Sequence, residues 1–325
     1  MMQRVLALNP ATYQRHTIHS GERVWSETNC YVDLWVELLH ALGHEPCAAL
    51  PFTLTLDFEG DQWTFFKFSL SDIYDLYGLE VQELAIWRPL AAHIEEQVTR
   101  GRPVLVELDS FYLPDTAGTA YQLEHTKTTV AVTEIDVAAR HLGYFHNQGY
   151  FHLNGEDFTR VFRLDARADE VVLPPYVEFV KPHSARALQG AALCEASLKL
   201  LRRYLDLTPK TNPYIVFKER FAQDLPGLMQ ADIKLFHQYS FATLRQCGAC
   251  YELTATYLEW LAAQRRSLDC RAGIEVFREL ANAAKAYQFQ LARAINRKKP
   301  LDLSPLDEMA LRWERGLAAV QQIAA

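Results

Sequence analysis

The 325 residues carry 49% hydrophobic and 22% charged side chains, the balance of a folded globular protein with a sizeable core rather than a disordered chain. A net charge of −7 and a pI near 5.9, without any long run of Lys or Arg, exclude broad electrostatic capture of nucleic acid or of anionic membrane. The first ten residues lack a basic lead and an apolar run, and no later stretch reaches the roughly 18 apolar residues of a membrane span, so the expectation is a cytoplasmic chain. Six scattered cysteines, at 30, 47, 194, 247, 250 and 270, do not form the dense framework of a small secreted domain, and reduced thiols are expected.

In chain order, an amphipathic helix is predicted over 30–42 and closed by Gly43. Two strand-like runs follow at 52–58 and 62–68, with Glu59, Gly60 and Asp61 as the turn between them. Ser71 caps a short helix through Tyr77, and Pro89 suits the first turn of a helix that ends before Gly101. The period then changes: 104–109, 126–135 and 141–146 read as strands, the last two paired antiparallel across a tight connection. Prolines 174, 175 and 182 mark an expected linker near 174–184, beyond which strand signals vanish. Helical segments are predicted over 185–205, 243–264, 272–294 and 306–323. The expected fold class is α+β, a helix packed on a small antiparallel sheet over 1–180, followed by an all-α domain over 181–325.

Cys30 stands where the capping residues Glu27, Thr28 and Asn29 give way to the apolar stripe of Leu34, Leu38 and Leu42. At a helix start, free amides and the positive end of the dipole favour a thiolate and can hold an oxyanion. A lone cysteine on such a stripe is most often inert core, so the reading needs a partner. Among the 11 histidines, His125 is best placed, because it ends the polar loop 110–124 and opens the next strand. Asn147 is preferred over Asp136 as the residue orienting it, since Asn147 ends the neighbouring antiparallel strand while Asp136 ends the strand that His125 begins.

The segments Thr28-Asn29-Cys30-Tyr31, 104–114 (VLVELDSFYLP) and 121–132 (YQLEHTKTTVAV) resemble the N-terminal domain of the BtrH-like butirosin-biosynthesis acyltransferases. That resemblance, over about residues 25–160, implies a papain-like domain. It also implies transfer of an acyl group from the phosphopantetheine thioester of an acyl carrier protein to an amine, with Cys30 and His125 on the matching motifs. The whole chain is also similar to a bacterial family associated with amino acid:carrier-protein ligases. This implies an aminoacyl thioester as donor, with such a ligase as a further partner. The order Cys, His, then Asn or Asp is that of papain-like enzymes generally.

The expected substrate-binding residues are Asn29 (first a helix cap), Asp109 and Tyr112 at the mouth of a strand, and Arg245. Cys247 and Cys250 form a C-x-x-C pair inside helix-like sequence, without the further ligands a zinc site needs. His141, His146 and His152 follow strand spacing too loosely for a metal triad, so no metal and no cofactor are assigned. The leading expectation is a cysteine-dependent acyltransferase. Its alternatives are a cysteine peptidase, amidase or thioesterase, which uses water in place of the amine, and a non-catalytic carrier-protein-binding module.

Overall fold

The computed structural model describes residues 2–165 and 173–324. The protein is α+β, with an antiparallel sheet and a helical C-terminal region. It divides into two units, each assembled from separate stretches of chain.

The first unit comprises Met1–Ser20, Asn29–Glu45 and Ile73–Ala187. Its elements in chain order are β1 (Gln3–Arg4), α1 (Thr17–Ser20), α2 (Cys30–Ala41), the end of α3 (Leu70–Tyr77), β2 (Leu79–Glu83), α4 (Leu90–Thr99), β3 (Val104–Asp109), β4 (Lys127–Asp136), β5 (His141–His146), β6 (Gly149–Asn154), α5 (Gly155–Val161) and β7 (Val177–Pro182). The sheet order is β2-β7-β3-β4-β5-β6, antiparallel throughout, and β1 joins the far end of β4 beyond the reach of β3.

Alternation along the strands builds two layers. Val104, Val106, Val130, Val132 and Tyr144 face a core filled by Ala91, Ile94 and Val98 of α4 and by Phe158 of α5. A bulge between Val132 and Glu134 shifts the register, so that Glu134 returns to the opposite face, opposite Gly143. Helix α2 packs on β4 and β5. It is buried from Val32 to Leu39, and this includes Asp33 and Glu37.

Those two carboxylates are tolerated because each is partnered, as burial of charge requires. His19 Nδ1 lies 2.5 Å from Glu37 Oε1 and its Nε2 3.2 Å from Asp33 Oδ1. The Tyr13 hydroxyl and the His16 backbone N–H also donate to Glu37.

The second unit comprises Gly21–Thr28, Pro46–Asp72 and Leu188–Ala325. Its helices are α6 (Gly190–Asp206), α7 (Pro213–Gln230), α8 (Ile233–Ala242), α9 (Leu244–Gln264), α10 (Arg271–Arg297) and α11 (Ser304–Ala324). Glu252 of α9 accepts from the backbone N–H groups of Val24 and Trp25, and Asp72 accepts from Tyr204 and Arg203 of α6. Among the described residues no helix is long and apolar enough to cross a membrane.

Three expectations are corrected. The strand expected at 52–58 is replaced at its start by a 3-10 stretch, Pro46–Thr55, lying against α6 and α9, and the one expected at 62–68 is irregular apart from a bridge between Phe58 and Trp63. Cys47 to Leu54 are all buried, so there is no exposed side to alternate with, and Phe52 packs on Phe66 and Phe68 instead of pairing in a ladder. The expected linker near 174–184 holds β7, an interior strand between β2 and β3, whose flanking prolines hide a Val-Glu-Phe-Val run. Strands β2 and β6 and helices α7 and α8 were not expected from the sequence.

Candidate active site

Asn29 adopts extended φ/ψ of −142° and 156°, and its side-chain oxygen accepts from Val32 N at 2.9 Å, which makes it the N-cap of α2. Cys30 is therefore the first helical residue, half-buried and not in a disulfide. Asn29 is itself buried with its oxygen taken up by the cap, so it serves the helix start rather than the substrate contact expected of it. Tyr31, the next residue, reaches Glu178 of β7 at 3.1 Å, and Glu178 stands opposite Leu105 of β3. The N-terminal end of α2 thus lies over the sheet face that carries Leu105, Glu107 and Asp109.

His125 stands two residues before β4. The β3–β4 ladder pairs Asp109 with Lys127 and continues through Ser110 N to Thr126 O, which brings Phe111 opposite His125. The rings of Phe111 and His125 stack at 4.3 Å with an interplanar angle of 12°, and Tyr112 meets both edge-on. Asp109 Oδ2 lies 2.6 Å from His125 Nδ1, while its Oδ1 accepts from Phe111 N at 3.1 Å. One carboxylate therefore fixes both the turn and the imidazole. With Nδ1–H donated to Asp109, Nε2 carries the lone pair at the exposed edge of the ring, the tautomer a general base needs. Glu107, Leu108, Asp109, His125, Thr126, Lys127 and Pro175 line an open recess of about 320 Å³.

Asn147, expected to orient His125, does not take that place. Ala131 pairs with Phe145, so β5 ends opposite Val130. Asn147 falls four residues short of His125 along β4, about 13 Å at strand rise. It occupies the β5–β6 turn with φ of +46°. Asp136 is further away, its carboxylate accepting from Ala139 N in the next turn. Strand β3 extends far enough to supply the group, and Asp109, expected to contact substrate, is that group. The sequence signal was present: β3 and β4 had to end at the same edge for His125 to have any strand neighbour, and Asp109 is the acidic residue at that edge.

Arg245 also departs from expectation. Its guanidinium donates to Thr28 O and pairs with Glu27, each at 3.3 Å, and lies over the Phe241 ring at 4.8 Å, so it fastens the 21–28 segment to α9. Cys247 and Cys250 are buried on α9, their thiols donating to the carbonyls of Leu244 and Thr53. Burial pushes the Cys247 thiol up to about 12.

A second histidine, His146 of β5, has both ring nitrogens engaged. Nδ1 lies 2.5 Å from Asp115, and Nε2 lies 2.8 Å from the Thr128 hydroxyl. Asp115 also accepts from Tyr144, whose phenol is pushed well up by burial and by that carboxylate.

Residues 14–182 match the family model described as the DUF1839 N-terminal domain, and residues 190–322 match the DUF1839 C-terminal domain. The chain belongs to the DUF1839 family. Cys30, Asp109 and His125 all fall within the N-terminal match, and Arg245 falls within the C-terminal one. No curated protein matches this DUF1839 chain.

Proposed function

We propose that this DUF1839 protein is a cysteine-dependent acyltransferase that takes an acyl or aminoacyl group from the phosphopantetheine thioester of a carrier protein and passes it to an amine. The observation that carries the reading is the His125–Asp109 pair at 2.6 Å, held at an open edge of the sheet on the face over which the Cys30 end of α2 lies. Its residue types, a cysteine at a helix start with a carboxylate-paired histidine, fit a cysteine acyl-transfer site, while the chain order Cys30, Asp109, His125 departs from the Cys, His, Asn or Asp order of papain-like enzymes. The resemblance to the BtrH-like acyltransferases supplies the donor class, and the association with amino acid:carrier-protein ligases supplies the aminoacyl variant and a loading partner.

In the proposed reaction the Cys30 thiol gives its proton to His125 Nε2, and the sulfur attacks the thioester carbonyl carbon. Backbone N–H groups of the first turn of α2 hold the oxyanion. The carbon–sulfur bond to the pantetheine arm breaks, and the departing thiolate takes the proton back from His125. An amine then attacks the Cys30 thioester, His125 removes a proton from its nitrogen, and the Cys30 thiolate leaves. Asp109 keeps Nδ1 protonated and stabilises the imidazolium in both halves.

The test is incubation with an aminoacylated carrier protein, followed by intact-mass spectrometry. An acyl adduct that disappears in Cys30→Ala is expected. Absence of an adduct, or its survival in that variant, overturns the reading. Acceptor-dependent mass gain by an added amine separates transfer from hydrolysis, which releases free acid whether or not the amine is present.

A further inference from the structure

At the far end of β4, seven residues and about 23 Å along the strand from Lys127, the sheet gathers a different set of groups. The register places Glu134 of β4 opposite Gly143 of β5, and Gly143 opposite His152 of β6. His141 lies two residues from Gly143 on the same face. Glu134 and His152 therefore flank a position that has no side chain of its own. The Tyr150 hydroxyl occupies the space that a side chain at 143 would need, and the Tyr150 ring meets His152 edge-on at 5.6 Å. One ligand atom from each of Glu134, His141 and His152 lies within 4.8 Å of the others. Chain spacing hides this cluster: 134, 141 and 152 match no ligand motif, and only the antiparallel register with its bulge at 132–134 brings them together.

The hydrogen bonding around these groups aims their ligand atoms at one another. His141 Nδ1 lies 2.7 Å from the Asn154 side-chain oxygen, so Nδ1 carries a hydrogen and the ring is turned with Nε2 toward Glu134. Nε2 of His141 faces Glu134 Oε1 at 2.9 Å, two atoms that can both ligate one ion. His152 Nε2 is buried beside them and makes no hydrogen bond. Arg4, opposite Glu134 on β1, forms no ion pair with it among the described residues. The side chains of His141 and Glu134 are 12% and 6% exposed, so the cluster is shielded but not sealed from solvent.

We propose that Glu134, His141 and His152 bind a divalent transition metal of the zinc class through one carboxylate and two imidazole nitrogens, with an open coordination position for water. Bond lengths of about 2.0–2.1 Å put tetrahedral ligand atoms about 3.4 Å apart, so the present separations need only small side-chain adjustments. The Asn154 oxygen is the outer partner that sets the His141 tautomer, as metal-bound imidazoles require. The ion bridges three adjacent strands, and it stands apart from the residues of the proposed acyl transfer.

The test uses the full chain, stripped with a chelator, reloaded with Zn(II) or Co(II) and passed through gel filtration with a weak competing chelator. Metal analysis is expected to give about one ion per chain, with visible Co(II) bands of a low-coordinate nitrogen and oxygen site and a raised Tm. Glu134→Gln and His152→Ala should each lose the ion while keeping the far-UV circular dichroism of the metal-free parent. Asn154→Ala should weaken binding by about 10- to 100-fold. If His141 is instead an imidazolium paired with Glu134, the protein takes up no stoichiometric metal and its Tm ignores Zn(II), which overturns the proposal. Equal uptake by Glu134→Gln and His152→Ala overturns it too, because the ion would then sit elsewhere.

Discussion

Two histidine–carboxylate pairs stand on the same sheet with nearly the same internal geometry and opposite surroundings. In one, His146 and Asp115 have side chains 3% and 4% exposed, and the Thr128 hydroxyl completes a Thr-His-Asp relay. In the other, His125 and Asp109 are 65% and 32% exposed, and Nε2 lies at the open edge. The buried relay has both ring nitrogens of its imidazole engaged and its side chains out of solvent, so what it can do is hold. It ties the 3-10 turn Pro114–Thr116 to β4 and β5, and this anchors the loop running from Asp109 to His125. Distances alone would rank the two alike; the free nitrogen and access to it separate them.

Exchanging the two rings for alanine should split the pair in opposite directions. His125→Ala is expected to slow acylation of Cys30 by an aminoacyl N-acetylcysteamine thioester about 10²- to 10⁴-fold, with unfolding free energy within ~0.5 kcal/mol of the parent. His146→Ala should leave Asp115 buried with Tyr144 as its remaining side-chain donor, and leave the Thr128 hydroxyl unpaired, at a cost of about 1–3 kcal/mol in urea unfolding. Any loss of rate in His146→Ala should follow the fraction unfolded. If His146→Ala slowed acylation in fully folded protein as much as His125→Ala, the division between holding and reacting would fail. Asp109→Asn comes next: it removes the charge that keeps Nδ1 protonated, and an approximately 10- to 100-fold slower acylation is expected. A rate unchanged in that variant would show that His125 needs no orienting carboxylate.

How far these features could be read beforehand depended on whether they are local. Asn29 followed by Cys30 and the Leu34/Leu38 stripe announces the start of α2, and the helix begins at Cys30. Strands 104–109 and 141–146 were legible because the β-branched Val104 and Val106 of the first and the aromatic Tyr144 and Phe145 of the second favour strand within a few positions. The partner of His125 was not legible from its own strand, because it depends on how far the neighbours extend: β5 turns at Asn147 while β3 runs on to Asp109. The cluster of Glu134, His141 and His152 escaped for the same reason, since a bulge that moves one residue to the other face leaves little trace in the sequence. The run 52–58 misled because its aromatic and β-branched content suits a strand, while the stretch 46–54 is buried throughout and leaves no open face.

A third histidine extends the comparison to pH. His19 is buried between Asp33 and Glu37; burial alone would lower its pKa, but hydrogen bonds to Asp33 and Glu37 and their charges reverse that and raise it above the ordinary 6.5. A raised folded value means that the stabilisation is complete below the unfolded value and is lost as pH rises through the folded one. The stability difference between the parent and His19→Gln should therefore be widest near pH 6 and narrow as pH rises into the alkaline range. Urea titrations across that range measure it. A gap that widened with pH would mean that His19 is held neutral, and α2 would then carry two buried carboxylates without a counter-charge.

The smallest effect tests the assignment of Asp109 most directly, through the residue it displaces. Asn147 sits in the two-residue turn between the paired His146 and Gly149, at φ of +46°, a conformation that costs an L-residue roughly 1–2 kcal/mol and that Asn tolerates better than most. In Asn147→Gly the relief of that cost is set against the greater freedom of glycine in the unfolded chain, roughly 0.5–1 kcal/mol, so stability should move by less than about 1 kcal/mol. Asn147→Val places a β-branched side chain where φ is positive and should cost about 1–2 kcal/mol. Neither should alter acylation of Cys30 in folded protein by more than about twofold, because Asn147 lies about 13 Å from His125 along the strand direction. If Asn147→Gly instead slowed acylation as Asp109→Asn does, the β5–β6 turn would have to approach His125 during turnover. Asp109 would then be one of two orienting groups, with β5 as well as β3 supplying the reactive edge of the sheet.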